Sequence, residues 1–219
     1  MIKVKNLTKT FIDGDKETKV LKGIDFECKE GEFIIIMGRS GAGKSTFMYQ
    51  LSLLDDPTGG EIVIDAKDTH LMNEEQKTRF RLESLGYVFQ DYALLPDLTA
   101  LENVALPLLM QGKTNEMAYA EAEKSLERVG LGHRLHNLPS KLSGGEQQRV
   151  SISRAIAHSP RILFADEPTA NLDRTSSEKV IEIFSELHKQ GQTIVMVTHE
   201  EEYAKVADRV IRLDDGRIL

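Results

Sequence analysis

The sequence predicts an α/β protein with a parallel-sheet core, an N-terminal antiparallel β subdomain and an inserted α-helical subdomain. Short apolar runs alternate with helix-like segments in the core, which is typical of a parallel sheet covered by helices. Residues 1–28 instead alternate polar and apolar positions, as half-buried strands do, and residues 91–158 have helical spacing. We therefore divide one domain, 1–219, into a core with its β subdomain (1–90 and 159–219) and a helical subdomain (91–158).

The N-terminal part predicts a β-hairpin followed by a buried strand. Residues 1–7 and 20–28 form the alternating segments, and the polar stretch 13–18 (DGDKET) predicts an antiparallel hairpin with a long loop. The run 32–37 (EFIIIM) is almost entirely apolar, which indicates a parallel strand buried on both faces. Apolar residues then recur at helical spacing, so we expect a helix over 46–54.

Helix-start signals define the predicted helical subdomain. Thr99 with Glu102, and Ser143 with Glu146, have the spacing of capping boxes. Pro107 is expected to kink or shorten the first of these helices. The other predicted elements are strands at 61–65, 86–89, 161–165 and 193–197, helices at 73–84, 115–129 and 200–206, a helix that ends at 191, and a hairpin turn at 215–216.

Composition excludes several classes of protein. The 28 basic and 35 acidic residues give a net charge of −7, which argues against a broad nucleic-acid surface, so no nucleic-acid partner is expected. Cys28 is the one cysteine, which excludes an internal disulfide; we interpret it as a small, half-buried strand residue without a redox role. No run approaches the roughly 18 to 20 apolar residues that span a bilayer, so we expect a soluble chain that needs another chain for any work in a membrane.

A phosphate-binding loop is the clearest motif. Residues 38–46 read GRSGAGKST, with the spacing of Gly38, Gly43, Lys44 and Ser45 that defines a P-loop. Glycines allow backbone N–H groups to point at an anion, Lys44 suits the β- and γ-phosphates, and the Ser45 hydroxyl suits Mg²⁺. A glycine-rich turn without function is the alternative, and the apolar run before the loop argues against it. The predicted nucleotide-binding residues are Gly38, Arg39, Ser40, Gly41, Ala42, Gly43, Lys44, Ser45 and Thr46.

Two carboxylates follow a predicted buried strand. Asp166 and Glu167 come directly after 161–165, at the sheet edge where α/β proteins bind ligands. Asp166 suits Mg²⁺, directly or through water, and Glu167 suits the polarisation of a water that attacks the γ-phosphate. The alternative, an acidic pair that merely starts a loop, loses weight beside a P-loop.

The chain resembles the nucleotide-binding subunit of an ABC transporter. The P-loop, the stretch 142–147 (LSGGEQ) and the Asp166–Glu167 pair occur in that order, and the resemblance covers essentially all 219 residues. Many NTPases share the first and third motifs, whereas the LSGG signature is specific to the ABC class. The resemblance implies a RecA-like P-loop NTPase core, ATP as substrate, Mg²⁺ as cofactor, and hydrolysis of ATP to ADP and phosphate.

The signature segment predicts a second phosphate site. Ser143, Gly144 and Gly145 lie at a helix start, where a hydroxyl, backbone donors and the positive helix end suit an anion. In the family, a head-to-tail homodimer places the P-loop of one subunit and the signature of the other around each ATP. Glu146 stands where the family usually has Gln; it fits the capping box but adds a negative charge, and we interpret it as a tolerated variant.

Four further residues have roles that only the resemblance implies. Gln90 corresponds to the Q-loop glutamine at Mg²⁺ and the attacking water, and His199 to the switch histidine at the γ-phosphate. Phe11, in place of the more frequent Tyr, corresponds to the aromatic residue that stacks on adenine. Asp173 corresponds to the D-loop aspartate that links the two sites of the dimer. By themselves, Gln90 and His199 would be interpreted as a solvated Gln and a strand-end His, and a core aromatic is the alternative for Phe11.

Within the family, the chain most resembles the subgroup of lipoprotein release, macrolide or antimicrobial-peptide export, and cell division. The cell-division (FtsE-like) branch is the first choice because the chain is short, with the other two as alternatives. Such a subunit would sit on the inner face of the cell membrane through an integral membrane partner. We expect that partner to dock at 91–98 and 137–141.

Two other classes of function remain. Soluble ABC ATPases of translation usually have two cassettes, and those of DNA repair have long coiled coils, neither of which occurs in this sequence. A P-loop kinase or a non-hydrolysing regulator is the other class. The LSGG stretch and Glu167 argue against both.

Overall fold

The computed structural model describes residues 1–219, which divide into two units. The first comprises Met1–Arg81 and Gly191–Leu219, and the second comprises Leu82–Gln190. The second unit contains the predicted helical insertion together with flanking elements, and the proposed boundaries at 91 and 158 stay a prediction.

The elements alternate between strands and helices after the first hairpin. The strands are β1 (Ile2–Asp13), β2 (Lys16–Cys28), β3 (Phe33–Met37), β4 (Gly59–Ile64), β5 (Lys67–Asp68), β6 (Leu85–Val88), β7 (Ile162–Asp166), β8 (Thr193–Val197), β9 (Arg209–Asp214) and β10 (Arg217–Ile218). The helices are α1 (Lys44–Leu51), α2 (Glu74–Ser84), α3 (Ala100–Met110), α4 (Asn115–Arg128), α5 (Gly144–Ile156) and α6 (Arg174–Lys189). Short 3₁₀ turns cover Thr69–Leu71, Pro139–Lys141 and Glu201–Val206, the last of which was expected as a short helix.

An antiparallel sheet in the order β2-β1-β4-β5 forms the predicted β subdomain in the first unit. Asp13 pairs with Lys16, so the β1–β2 turn contains only Gly14 and Asp15. The prediction of a long loop over 13–18 is therefore wrong. Residues 11–19 are all exposed, so their pairing depends on backbone hydrogen bonds. Because no face of this segment is buried, its sequence shows no alternation of apolar and polar residues.

Four strands of the first unit support the P-loop. They lie in the order β10-β9-β3-β8, and β3 runs parallel to both β8 and β9. Every residue of β3 and β8 is buried, as predicted for parallel strands covered on both faces. α1 begins at Lys44 rather than at 46, so Lys44 and Ser45 belong to its first turn.

The second unit combines a parallel strand pair with packed helices. β6 pairs with β7, and α3, α4 and α5 pack against one another. Both predicted capping boxes are confirmed, at Thr99 for α3 and at Ser143 for α5. Pro107 lies inside α3, which continues to Met110, so the proline does not end the helix. Pro107 lies in the last turn, where its missing N–H removes one bond from a helix that α4 and α5 already hold.

Cys28 ends β2 and is fully buried, not half-buried as predicted. Burial raises the pKa of its thiol to about 12, which keeps it protonated and unreactive. The absence of a redox role remains the interpretation. None of the helices combines the length and the apolar character that crossing a membrane requires.

Candidate nucleotide-binding site

The P-loop joins β3 to α1 and ends in an uncapped helix start. Gly43 is the N-cap of α1 with φ of 97°, no side chain caps this helix, and no acidic residue lies in its first turn. Lys44 Nζ donates to the carbonyl oxygens of Gly38 at 2.9 Å and Arg39 at 3.2 Å, so its ammonium lies across the loop. Backbone donors at an uncapped helix start and the buried ammonium of Lys44 suit a phosphate group.

Two distant segments of the same unit fix the shape of the loop. A Cβ on Gly38 would lie 2.1 Å from the carbonyl oxygen of Leu213, so only glycine fits there. Gly216 donates its N–H to the Ala42 carbonyl at 3.1 Å, in the turn between β9 and β10. No sequence pattern indicates these contacts, because they depend on how strands that are distant in sequence pair.

His199 and the start of the P-loop line one cavity. The cavity has a volume of about 390 Å³, and Gly38, Arg39 and His199 contribute to its wall. Arg212 also lines it and makes a two-pronged ion pair with Glu201, at 3.0 and 3.1 Å. Sequence reasoning missed this pair because neither residue belongs to a motif. Phe11 is not among the residues that line this cavity.

The predicted catalytic carboxylates lie at the end of β7. Asp166 is the buried last residue of the strand, and Glu167 follows it as a half-buried residue. Glu167 has φ of 46°, in the left-handed region that a non-glycine residue adopts at a conformational cost. Such backbone is concentrated at functional sites, which adds a structural reason to the sequence argument for Glu167.

The segment that contains Gln90 is held by Arg154 and Asn171, whose contacts the sequence motifs did not indicate. Arg154 donates to the carbonyl oxygens of Ala93 at 2.6 Å and Tyr92 at 3.0 Å, two residues with left-handed backbone. Asn171 donates to the Gln90 carbonyl at 3.2 Å and accepts from the Tyr92 hydroxyl at 3.4 Å. The segments around Gln90 and Asn171 are therefore bonded to each other, while Gln90 itself is exposed.

The signature segment has no room for larger side chains. A Cβ on Gly144 would lie 2.9 Å from the Tyr92 hydroxyl, and one on Gly145 would lie 2.6 Å from Ser176 Oγ. Ser143 is exposed at the start of α5, whereas Gly144 is half-buried and Gly145 is buried. The exposed residue of this helix start is therefore small and polar.

Asp173 caps α6. Its carboxylate accepts from Ser176 Oγ at 2.7 Å and from the Ser176 N–H at 3.0 Å. These hydrogen bonds lower the pKa of Asp173, which stays charged and exposed near neutral pH.

Phe11 is 45% exposed on β1, so its interpretation as a core aromatic is wrong. The Lys9 ammonium lies 5.0 Å from the centre of its ring. Lys9 is itself bonded to Asp55 at 2.7 Å, so one face of the ring has a fixed cation beside it.

Fold and site together define a P-loop ATPase, and comparison with known proteins narrows the class. The model of the ABC transporter family matches residues 21–170. An uncharacterized ABC transporter ATP-binding protein of Methanocaldococcus jannaschii is 47% identical over 219 residues, which cover 100% of this chain and 98% of that protein. The lipoprotein-releasing system ATP-binding protein LolD of Aquifex aeolicus is 47% identical over 201 residues, covering 92% of this chain and 90% of LolD.

Two further comparisons involve a longer relative and a solved structure. The macrolide export ATP-binding/permease protein MacB of Marinobacter nauticus is 44% identical over 219 residues, and this chain spans 34% of its length. The dimeric, post-hydrolysis structure of the ATP-binding cassette MJ0796 bound to ADP and Pi superposes with a TM-score of 0.93 at 41% identity, covering 100% of this chain and 96% of that one.

The chain belongs to the ABC transporter family, as an ATP-binding cassette. The predicted fold class and ATPase class are confirmed, as is ATP as the nucleotide. The individual roles of the site residues stay predictions, as does the cell-division branch.

Proposed function

We propose that the chain is the ATP-hydrolysing subunit of a membrane complex and acts as a head-to-tail homodimer. Each ATP would lie between residues 38–46 of one copy and Ser143–Glu146 of the other. The observation that carries this proposal is the presence of two helix starts suited to an anion, at α1 and α5, in a chain that matches a dimeric cassette over its whole length. A two-fold axis would make both ATP sites equivalent.

The catalytic roles follow the chemistry of the residues present. Glu167 would polarise the attacking water, and Gln90 and His199 would orient the water and the γ-phosphate. Ser45 and Asp166, with Gln90, would hold Mg²⁺, since hydroxyl, carboxylate and amide oxygens suit this ion. Mg²⁺ usually keeps several waters and is also bound by the substrate phosphates, so it does not need a cage made entirely of protein ligands.

Phe11 and Asp173 would act at the edges of the site. The exposed face of the Phe11 ring is available for stacking on adenine, and the cation of Lys9 beside the ring limits its movement. Asp173 is exposed at the start of α6, where it would contact the second copy and link the two sites.

Closure of the dimer would be transmitted to a membrane partner. The proposed docking segments, 91–98 and 137–141, expose Leu95 by 44% and Leu138 by 39%, so each segment has one apolar side chain that a partner helix could contact. The chain would then lie on the inner face of the membrane through that partner. The net charge of −7 gives no support for a nucleic-acid partner.

The branch within the family is narrowed by the named relatives. LolD and MacB carry the names of the lipoprotein-release and macrolide-export branches, which favours these two over the cell-division branch. Co-expression with one candidate membrane subunit from each branch tests this. The partner that co-purifies and stimulates ATP hydrolysis identifies the branch. Stimulation by a cell-division subunit alone would contradict the preference for the lipoprotein-release and macrolide-export branches.

Glu167→Gln tests the dimer and the catalytic role together. Because the amide cannot polarise water but keeps the side-chain size, we expect hydrolysis to fall by about a hundredfold or more and a dimer to accumulate with ATP and Mg²⁺. Light scattering after gel filtration measures the dimer, and phosphate release measures turnover. Glu182→Gln, at an exposed position of α6, is the matched control. A variant that stays monomeric with ATP, or a monomer that hydrolyses at the unmodified rate, would contradict the proposal.

A further inference from the structure

The charge of Glu146 at the signature helix has a dedicated partner. Glu146 Oε2 accepts the Ser143 N–H at 2.8 Å, which is half of the capping box. Its second oxygen, Oε1, accepts from Arg134 Nε at 2.9 Å. The Glu146 side chain is only 16% exposed, and both of its carboxylate oxygens are engaged in these bonds.

We propose that Arg134 is a positioning residue of the signature segment: it neutralises Glu146 and holds its carboxylate in the capping box, so that Ser143 and Gly144 can approach the phosphates of ATP. This inference rests on the proposed function, in which those phosphates are bound to the second copy. It explains how a signature with Glu in place of the family's usual Gln tolerates its extra negative charge.

The electrostatic reason lies in the protonation state of Glu146. The hydrogen bond from the Ser143 backbone and those from Arg134 and the Ser143 hydroxyl hold the pKa of Glu146 below its usual range. The group is therefore charged at neutral pH. Without Arg134, that charge would stand at the start of α5 and repel an incoming triphosphate, because like charges in a partly desolvated site repel more strongly than in water. A Gln at this position would keep the cap and need no cation.

Arg134 is anchored before it reaches Glu146. Its backbone N–H bonds the Leu131 carbonyl at 2.9 Å, and its carbonyl accepts from the Asn137 N–H at 2.9 Å. The same segment satisfies the start of α3, where the N–H groups of Ala100 and Leu101 donate to the carbonyls of Asn137 and Leu135 at 2.9 and 3.0 Å. Arg134 therefore extends from a segment with fixed turns, which reduces the entropy lost when the ion pair forms.

The competing explanation is an ordinary half-exposed ion pair that stabilises a loop and has no effect on ATP. Pairs of this kind contribute little to stability, and their loss would leave the response to ATP unchanged. The two explanations differ in one respect. If neutralisation of Glu146 is the function of Arg134, removal of both charges restores what removal of Arg134 alone destroys.

The test compares R134Q, E146Q and the double variant R134Q/E146Q in full-length protein that also carries Glu167→Gln. The ATP concentration at half-maximal dimerisation is measured by light scattering with Mg²⁺ present, and thermal unfolding is measured in parallel. We expect R134Q to raise that concentration by roughly tenfold, E146Q to stay within about twofold, and the double variant to return to within about threefold of the parent. R128Q, which removes an exposed arginine of α4 bonded to Gln190, is the matched control.

Two results would overturn the inference. One is a double variant as impaired in dimerisation as R134Q. The other is an R134Q variant that unfolds at lower temperature but dimerises like its parent. If R134Q is poorly folded, the folded double variant and R134K, which keeps the charge without the planar fork, still give the comparison.

Ser143→Arg distinguishes failure of the proposed function from failure of the role of Arg134. If this bulky change leaves ATP-dependent dimerisation intact, the proposed function fails; if it abolishes dimerisation while R134Q does not affect it, the role of Arg134 alone fails.

Discussion

The two helix starts proposed to bind ATP differ in how their backbone donors are satisfied. α1 begins after Gly43 with no side-chain cap and no acid in its first turn. α5 begins after Ser143, whose hydroxyl and the Glu146 carboxylate form a reciprocal cap. The first N–H groups of any helix lack partners within it, so a ligand at α1 meets no competing side-chain cap, whereas α5 satisfies two of its donors by itself.

This difference separates a strong phosphate site from a weak one. α1 adds the ammonium of Lys44 to its donors, while α5 carries a carboxylate that Arg134 has to neutralise. A nucleotide should therefore bind first at α1, and α5 should contribute only when ATP on another copy brings its phosphates close. A weak second site makes closure of the dimer depend on ATP, which a switch requires.

Lys44→Ala is the largest expected disruption of the stronger site. The change removes the ammonium of Lys44 and its two bonds across the loop, so we expect the affinity for ATP to fall on the order of a hundredfold. Isothermal titration with ATP and Mg²⁺ measures it. Lys179→Ala, at an exposed position of α6, should bind normally. An affinity of Lys44→Ala for ATP within about threefold of the parent's would contradict the assignment of α1 as the primary ATP site.

Ser143→Ala should have a smaller effect, confined to the weaker site. Loss of the cap hydroxyl should cost about 1 kcal/mol of stability and weaken ATP-dependent dimerisation, while ATP binding to the monomer stays unchanged. Thr114→Ala is a matched control, because Thr114 caps α4 by the same bond to the third residue of its helix. Equal effects of the two variants on dimerisation would reduce Ser143 to a helix cap.

The fold was predictable where the signal is local. Both capping boxes, the buried strands at β3 and β8 and the P-loop follow from residues within a few positions of one another, and the structure and the family confirm them. The length of the first hairpin was not predictable, because its paired tip is wholly exposed and leaves no apolar pattern. Pro107 does not end α3, which continues to Met110 and packs on α4 and α5, and the sequence pattern does not contain these packing contacts.

The motifs of the candidate site were predictable, but the side-chain contacts that hold the motif segments in place were not. Arg154, which bonds the carbonyls of Tyr92 and Ala93, and Arg134, which bonds Glu146, come from segments distant in sequence from the groups that they hold. Contacts of this kind depend on tertiary packing, and a single sequence contains no periodicity or spacing that indicates them. The same holds for Leu213, whose carbonyl makes Gly38 obligatory.

The smallest effect that we predict concerns the pH dependence of α5. Because the folded protein lowers the pKa of Glu146, the stability gained from its charge is complete above the ordinary value of 4.5 and is lost as the pH falls through the lower, folded value. Near pH 7, the parent should therefore be more stable than E146Q by about 1 kcal/mol or less, since the amide keeps the cap but not the ion pair with Arg134. Urea unfolding of both proteins near neutral pH and again near pH 3 measures the difference, which should shrink in acid while other titrating groups cancel between the two proteins. The same comparison is made between R134Q and R134Q/E146Q, where we expect a smaller difference in stability and a smaller change of that difference with pH. If the difference changes with pH as much in this pair as between the parent and E146Q, the cap, and not the arginine, lowers the pKa of Glu146.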